Sequence, residues 1–364
     1  MRILRDSEHS QKQACRLRLI FALAGLSAIG CVAQTATPRY TVVDRGPVLV
    51  RTMINTPGLN SHVDVAIWRT LSSRETQGVV FRGDRPESFS GRPDFSLVYP
   101  ADVSDDGAVV GLLQVPQDMR FTRAFLWREG NITSLSTLGG MYDVASAMNR
   151  AGEIAGSAQT GRGELHAVLW RANQPLDLGT LDRGDYSDAR DINDAGSVVG
   201  EANTVANGKP RAFYWRDGKM KELASAPGGT LCSAQAINNK EEIAGSCDLS
   251  NGTSHGFLWR GNKLTDLGSL GKDDDLPSTA LDINVHTQVV GSSEIADGKQ
   301  RAFLWEHGRM INLNRCIPPG SGWLLLVGSR INDAGEILGR GYYKGAIHAF
   351  LLIPQADRQN RPRS

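Results

Sequence analysis

The 364-residue chain lacks an excess of charge of either sign, with 40 Lys and Arg against 39 Asp and Glu. No basic stripe runs along it, so the usual electrostatic footprint of a nucleic-acid-binding surface is missing. Long hydrophobic runs are also missing. The longest, Leu19 to Gly30, has 12 residues, whereas a membrane-spanning helix needs about 20. Catalytic motifs are absent: there is no His-Glu-x-x-His, no Gly-x-Ser-x-Gly, no phosphate-binding Gly-Lys-Ser and no Cys-x-x-Cys. No metal site and no cofactor is expected from such a sequence.

What the chain does have is glycine, 40 in all, roughly 11% against about 7% in average proteins. Collagen is excluded because the glycines keep no three-residue period. Disorder is excluded because 40% of the residues are apolar. Glycine is unfavourable inside helices, so an excess spread along the chain argues for many turns and short strands.

The N-terminus has the order of a secretory signal: Arg16 and Arg18, then the apolar run, then small residues. Ala28-Ile29-Gly30-Cys31 reads as a lipoprotein box with lipidation at Cys31. Cys31-Val32-Ala33 reads equally as an ordinary cleavage site. Residues 1–31 are therefore a leader and 32–39 a linker. Residues 40–354 form a single repeat domain, and 355–364 a polar, basic tail. The chain is expected to be exported: periplasmic, outer-membrane-anchored or extracellular in a bacterium. It would meet a membrane only through a lipid at Cys31, and a monomer is expected.

Tryptophan carries a repeat. Trp68, Trp127, Trp170, Trp215, Trp259 and Trp305 recur at intervals of 59, 43, 45, 44 and 46 residues. Most lie in runs such as Ala124-Phe-Leu-Trp127 and Ala302-Phe-Leu-Trp305, and Ala349-Phe-Leu-Leu352 is a last copy. A second marker, Ile192-Asn-Asp-Ala-Gly196 with Gly200 after it, keeps step with the first. Its copies begin at Ile237, Ile283 and Ile331, with variants at Met148 and Val103. Ile54-Asn55 is taken as a degenerate seventh. Each unit reads as four strands, a to d. Strand a runs into Ile-Asn, and the Asn-to-Gly turn makes a hairpin with strand b. Strand c is the tryptophan run and strand d the Asp-Leu-Gly run. Strand c is apolar at consecutive positions, so both its faces are buried.

A sheet of about 45 residues, built from hairpins and covered on both faces, is a propeller blade. The fold class is therefore all-β. Seven four-stranded blades are expected, with the N-terminal strand at Tyr40–Gly46 completing the last. Six or eight blades and a β-solenoid are the alternatives.

These blocks resemble those of the HAF repeat family of bacterial extracellular proteins. His166-Ala-Val-Leu-Trp170, Asp177-Leu-Gly-Thr-Leu181, Ile192-Asn-Asp-Ala-Gly196 and His348-Ala-Phe-Leu-Leu352 carry the likeness, over roughly residues 40–354. The resemblance implies export and a repeat architecture and supplies no reaction. The function it leaves is a binding or interaction scaffold, its partner a protein or a glycan. A polysaccharide-acting hydrolase or lyase is the alternative.

Residues found in every repeat serve packing or turns, so His166, His255 and His348, in one repeat slot, read as structural. Binding residues are sought where copies differ. One stretch, Arg82 to Phe95, reads as an insertion that offers Arg85, Phe89, Arg92 and Phe95. The d–a loops offer Tyr142, Asp185, Tyr186 and Asp273–Asp275. Trp323, outside the tryptophan pattern, is the last candidate. The b–c and d–a loops share one side of the domain, expected to be the binding side. Cys232 and Cys247 are equidistant from a turn at Asn239-Lys240, so they face each other across a hairpin and can form a disulfide. Cys316 is left without a partner.

Overall fold

The computed structural model describes residues 39–48, 58–72, 74–116, 118–205, 208–271 and 276–355. The leader with Cys31, Ile54-Asn55, Asp273–Asp275 and the tail after Gln355 lie outside the described residues.

Among the described residues every regular element is a strand except one 3-10 turn at Leu313–Arg315. The strands follow the chain in antiparallel four-stranded units. Unit 1 is β2 (Gly58–Leu59), β3 (Val65–Ser72), β4 (Glu75–Arg82) and β5 (Arg85–Ser90). Unit 2 is β6 (Leu97–Val103), β7 (Val109–Val115), β8 (Asp118–Arg128) and β9 (Asn131–Ser134). Unit 3 is β10 (Gly139–Met148), β11 (Ile154–Thr160), β12 (Leu165–Arg171) and β13 (Gln174–Asp177). Unit 4 is β14 (Arg183–Ile192), β15 (Val198–Thr204), β16 (Arg211–Arg216) and β17 (Lys219–Glu222). Unit 5 is β18 (Cys232–Ile237), β19 (Glu242–Asp248), β20 (Ser254–Arg260) and β21 (Lys263–Asp266). Unit 6 is β22 (Ser278–Ile283), β23 (Val289–Glu294), β24 (Gln300–Glu306) and β25 (Arg309–Asn312). The last unit is β26 (Leu324–Ile331), β27 (Ile337–Tyr343) and β28 (Ala346–Pro354), with β1 (Tyr40–Pro47) paired to β28 as its fourth strand.

Packing explains the repeated aromatics. The core is a series of apolar clusters, each made by two neighbouring units. Trp215 and Phe213 meet Leu169 and Leu181 between units 3 and 4. Trp127 and Phe125 meet Val80 and Phe89 between units 1 and 2. The series returns on itself, because Val65 and Phe81 of unit 1 pack with Leu338 and Leu351 of the last unit. A third strand whose two faces both meet neighbours needs apolar residues at successive positions.

The repeated glycine of the second strand has a steric cause. The first strand bulges before its Ile, for example between Ala145 and Ala147 and between Ala189 and Asp191. The bulge pushes a carbonyl toward the partner strand. A Cβ on Gly156 would lie 2.0 Å from the Val144 carbonyl oxygen, and one on Gly200 2.0 Å from that of Asp188. No side chain fits there.

Unit 1 departs from the sequence reading. Trp68 lies on the second strand of its unit, and Phe81 holds the third-strand position that tryptophan holds elsewhere, pairing with Val65 as Trp170 pairs with Ile154. The Ile-Asn slot is filled by Leu59-Asn60. Asn60 Oδ1 accepts the Asp64 N–H at 2.8 Å, as Asn193 accepts that of Ser197 at 3.0 Å. The stretch from Arg82 to Phe95 is no insertion, since most of it is β5 and the turn into unit 2. Phe89 and Phe95 are buried in the unit 1–2 core, Phe89 stacked 4.7 Å from Trp127.

A longer period underlies the short one. The residue before the third-strand Ala or Gly is Arg in units 2, 4 and 6 (Arg123, Arg211, Arg301) and His in units 3, 5 and 7 (His166, His255, His348). Each His clips its unit's outer strand. Its Nδ1 lies 2.9 Å from Asp177, 3.0 Å from Asp266 and 2.8 Å from Asp44 respectively. The hydrogen bond to Asp177 holds His166 above its ordinary pKa, against the opposing effect of burial. These histidines therefore have a structural role, and the last of them fastens β1.

Candidate functional site

Equivalent residues from all the units converge on one opening of about 210 Å³. The first strands are therefore the innermost ones, and the hairpin turns that follow them ring this opening. Its wall starts with the apolar ends of the inner strands, including Leu59, Val103, Met148, Ile192 and Ile331.

Next comes a belt of amides. Asn193 Nδ2 donates to the Asn238 carbonyl oxygen at 3.2 Å, Asn238 to Asn284 at 2.9 Å and Asn284 to Asn332 at 3.0 Å. Asn332 donates to Asn60 at 3.0 Å, Asn60 to Ser104 at 2.9 Å and Asn149 to Asn193 at 3.2 Å. Only the link from Ser104 to Asn149 is missing from these bonds, because serine has no amide to give. Each Asn also caps its own turn through Oδ1, as Asn193 does for Ala195 and Ser197. Asp194 accepts the Arg150 backbone N–H at 3.0 Å, and Asp105 that of Ser61 at 3.0 Å. The turn Asp and Asn residues at this end are thus spent on capping turns and joining units.

Beneath the belt sit Asp102, Asp191 and Asp282, each just before the terminal apolar residue of an inner strand in units 2, 4 and 6. Each caps a backbone N–H of the next unit: Met148 at 3.0 Å, Ile237 at 2.7 Å and Ile331 at 2.7 Å. Burial is the main reason that Asp191 is pushed up to about 7, with Asp282 adding repulsion and Arg330 opposing. Burial likewise lifts Asp282 to about 6 and raises Asp102, both countered by Arg330. Arg330 is the shared countercharge of all three, and its Nε is buried without a hydrogen-bond partner.

Farther from the hairpin turn on the same inner strand, unit 4 carries a polar cluster. Arg190 Nη2 lies 2.9 Å from Asp188 Oδ2 and 3.2 Å from Glu201 Oε1. Tyr186 donates its hydroxyl to Glu201 Oε1 at 2.8 Å, and Ser157 of unit 3 hydrogen-bonds Asp188. Burial raises Asp188, opposed by Arg190. Burial works against the Arg190 charge, but Asp188 and Glu201 outweigh it and hold the group above its ordinary value. Tyr142 of unit 3 is raised chiefly by burial, with Asp188 adding to it. The side chains keep some exposure, 15% for Asp188, 17% for Glu201 and 34% for Arg190, so the cluster is partly open to solvent.

The structure brings only some of the sequence-expected residues together. Tyr186 belongs to this cluster, and Tyr142 lies near enough to feel Asp188 and Arg190. Asp185 stands beside it, accepting from Asn203 Nδ2 at 2.6 Å. Arg85 is exposed at the start of β5, and Arg92 is paired with Asp94 at 3.0 Å. Trp323 stacks on Tyr343 at 4.5 Å and meets Phe350 edge-on at 5.9 Å, so it packs on the last unit. Cys232 and Cys247 are cross-strand partners joined by a 2.10 Å S–S bond, and Cys316 is free and buried. Sequence reasoning missed Asp188, Arg190 and Glu201. The signal was there: residues 185–192 and 141–148 align, and Asp188 and Arg190 stand where Val144 and Ser146 do.

The fold is a β-propeller. The propeller domain of the Trilobed protease from Pyrococcus furiosus, described as having an open velcro topology, superposes with a TM-score of 0.54 at 9% identity, covering 89% of this chain and 99% of that one. A puromycin-hydrolyzing peptidase of Mycobacterium tuberculosis gives 0.56 at 12% identity, over 84% of this chain but 52% of the peptidase, so the chain spans about half its length. At such identities the likeness is one of fold alone. Residues 177–347 match the model of a family described as "Protein of unknown function (DUF3466)". No curated protein sequence matches the chain.

Proposed function

We propose that the chain is an exported propeller of seven blades of the HAF-repeat type, closed where β1 joins the last blade. It acts as a binding scaffold through the loop side of its inner wall. The carrying observation is the Tyr186–Asp188–Arg190–Glu201 cluster, whose charges no other described blade repeats. In the corresponding positions other blades hold Val144, Ser233 and Thr279, or Ser146, Gln235 and Leu281. Packing is met by those neutral residues, so the charges answer to something other than the fold. The Cys232–Cys247 bond fits an oxidising compartment and supports export.

Binding fits the cluster better than hydrolysis does. Both carboxylates are held by Arg190, and a glycosidase-like pair needs one carboxylate free to act as base or nucleophile. The raised Asp188 is the observation that favours an acid role. A glycan-and-protein array probed with residues 32–364 tests the reading. Saturable binding that Arg190→Gln weakens is expected. Cleavage of any glycan, or binding that is indifferent to loop-side substitutions, overturns it.

A further inference from the structure

Ligand chemistry can be read from the atoms this cluster leaves unused. Arg190 Nη2 and Tyr186 Oη both use Glu201 Oε1. No hydrogen bond from the described residues reaches Glu201 Oε2. Arg190 Nη1 likewise makes no hydrogen bond among the described residues, its bonds to Asp188 and Glu201 both running through Nη2. An unused acceptor and an unused donor thus belong to two partly exposed side chains already joined at 3.2 Å. Tyr142 and Tyr186 occupy the same repeat position on adjacent inner strands; Tyr186 is bonded to Glu201, and Tyr142 is near enough to feel the charges of Asp188 and Arg190.

The charges narrow the choice. An anion would meet Asp188 and Glu201 together, with a single guanidinium already engaged by both. A cation would meet Arg190 at the centre of the cluster. An apolar ligand would strip water from three charged groups without replacing their hydrogen bonds, which is costly. A neutral molecule with adjacent hydroxyls can donate to a carboxylate oxygen and accept from a guanidinium, while its ring face lies on tyrosine.

We propose that Tyr142, Tyr186, Asp188, Arg190 and Glu201 form a binding site for a neutral carbohydrate. Its hydroxyls are taken by Glu201 and Arg190, and a sugar ring packs on the tyrosines. This rests on the scaffold reading above and sharpens it from binding in general to one ligand class.

The test is calorimetric titration of the full mature chain with neutral pentasaccharides of glucose, xylose and N-acetylglucosamine, with pentalysine and a sulfated pentasaccharide alongside. At least one neutral sugar should bind saturably. Glu201→Gln keeps the size of the side chain but removes its charge, and should weaken that binding about tenfold or more, the usual effect of losing a charge-assisted hydrogen bond. Tyr186→Phe should weaken it less, because the ring remains. Asp194→Asn, at the opposite end of the opening, should leave it unchanged, and near-ultraviolet dichroism confirms that each variant is folded. The inference fails if no neutral sugar binds, if pentalysine or the sulfated sugar binds in its place, or if folded Glu201→Gln binds as the wild type does. A protein partner captured at the loop side with no sugar binding would sink this inference and leave the scaffold reading standing.

Discussion

Replacing one amide of the belt should cost more than its exposure to the opening suggests. Asn193 is 4% exposed and makes three hydrogen bonds: its Oδ1 takes the N–H groups of Ala195 and Ser197, and its Nδ2 reaches the Asn238 carbonyl oxygen. Asn193→Ala removes all three and leaves the turn donors of Ala195 and Ser197 without this acceptor. At about 1 kcal/mol for each lost bond, with a further penalty for a buried donor left unmet, the loss is about 3 to 4 kcal/mol. The molecule contains its own control. Ser104 fills the same slot in unit 2, where its Oγ accepts the Ala108 N–H at 3.1 Å and no bond crosses to Asn149. Asn193→Ser should therefore cost about half as much, close to 2 kcal/mol, by keeping one turn bond. The converse change, Ser104→Asn, should add the missing link and gain up to about 1 kcal/mol. Urea unfolding followed by tryptophan fluorescence measures all three, since Trp127, Trp170 and Trp259 are each 1% exposed and report loss of the core. The reasoning fails if Asn193→Ala costs less than about 1 kcal/mol, or if Ser and Ala at 193 cost the same.

Four further outcomes are expected. Replacing Cys232 and Cys247 together by serine should cost about 3 kcal/mol, the usual value for a bond closing a loop of this size (a sequence separation of 15), and non-reducing mass spectrometry of residues 32–364 should show alkylation at Cys316 alone after unfolding. Arg330→Met should destabilise more at about pH 8 than at about pH 5, because the raised Asp191 and Asp282 lose their stabilising contribution as pH rises through about 7 and about 6, and removing Arg330 pushes them higher; equal losses at both pH values would refute the shared-countercharge account. The raised His166 contributes stability that is present below its ordinary value of 6.5 and is lost as pH rises through its folded value, so the cost of Asp177→Asn should shrink between about pH 6 and about pH 9 in parallel unfolding curves. Thr287 is β-branched yet held at φ 61°, so in Thr287→Gly the relief of about 1 to 2 kcal/mol of backbone strain should offset most of the lost bond to Glu242, and the urea midpoint should move far less than in Thr287→Val, which loses the bond and keeps the strain.

Where the sequence reading worked, one residue type had one cause. Third-strand tryptophans from Trp127 to Trp305 are buried because both faces of that strand meet neighbours. The Cys232–Cys247 pair was found with the turn placed off by half a residue: Ile237 pairs with Ile243, and the bulge between Ala234 and Ala236 shifts the register by one to bring the cysteines together. The sequence reading failed at unit 1, where the aromatic changed place. Phe81 took the third-strand slot while Trp68, on the neighbouring strand, met Tyr99 edge-on at 5.8 Å. The interval of 59 residues after Trp68, against 43 to 46 elsewhere, was the visible warning. Phe89 and Phe95 misled because a divergent unit looks like an insertion when its markers are missing. The polar cluster was illegible for another reason. Asp188 and Arg190 share one inner strand, but Glu201 and Ser157 reach them through strand pairing and the approach of a neighbouring unit. Only the three-dimensional arrangement turns those unremarkable residues into a set.

The two-unit period described above meets a problem of parity. Before the end of each inner strand, from unit 1 onward, stand Gly58, Asp102, Ala147, Asp191, Ala236, Asp282 and Arg330. An alternating pattern closes without fault on a ring with an even number of members, and a ring of the seven blades proposed above must break it once. The break falls where unit 7 meets unit 1, and there the alternation yields the single cation of the set. That cation is the one group able to offset all three carboxylates. A chain lengthened or shortened by one unit would restore the alternation and remove the seat that Arg330 occupies. On the proposed count of seven, the odd number of units is thus tied to the charge of Arg330.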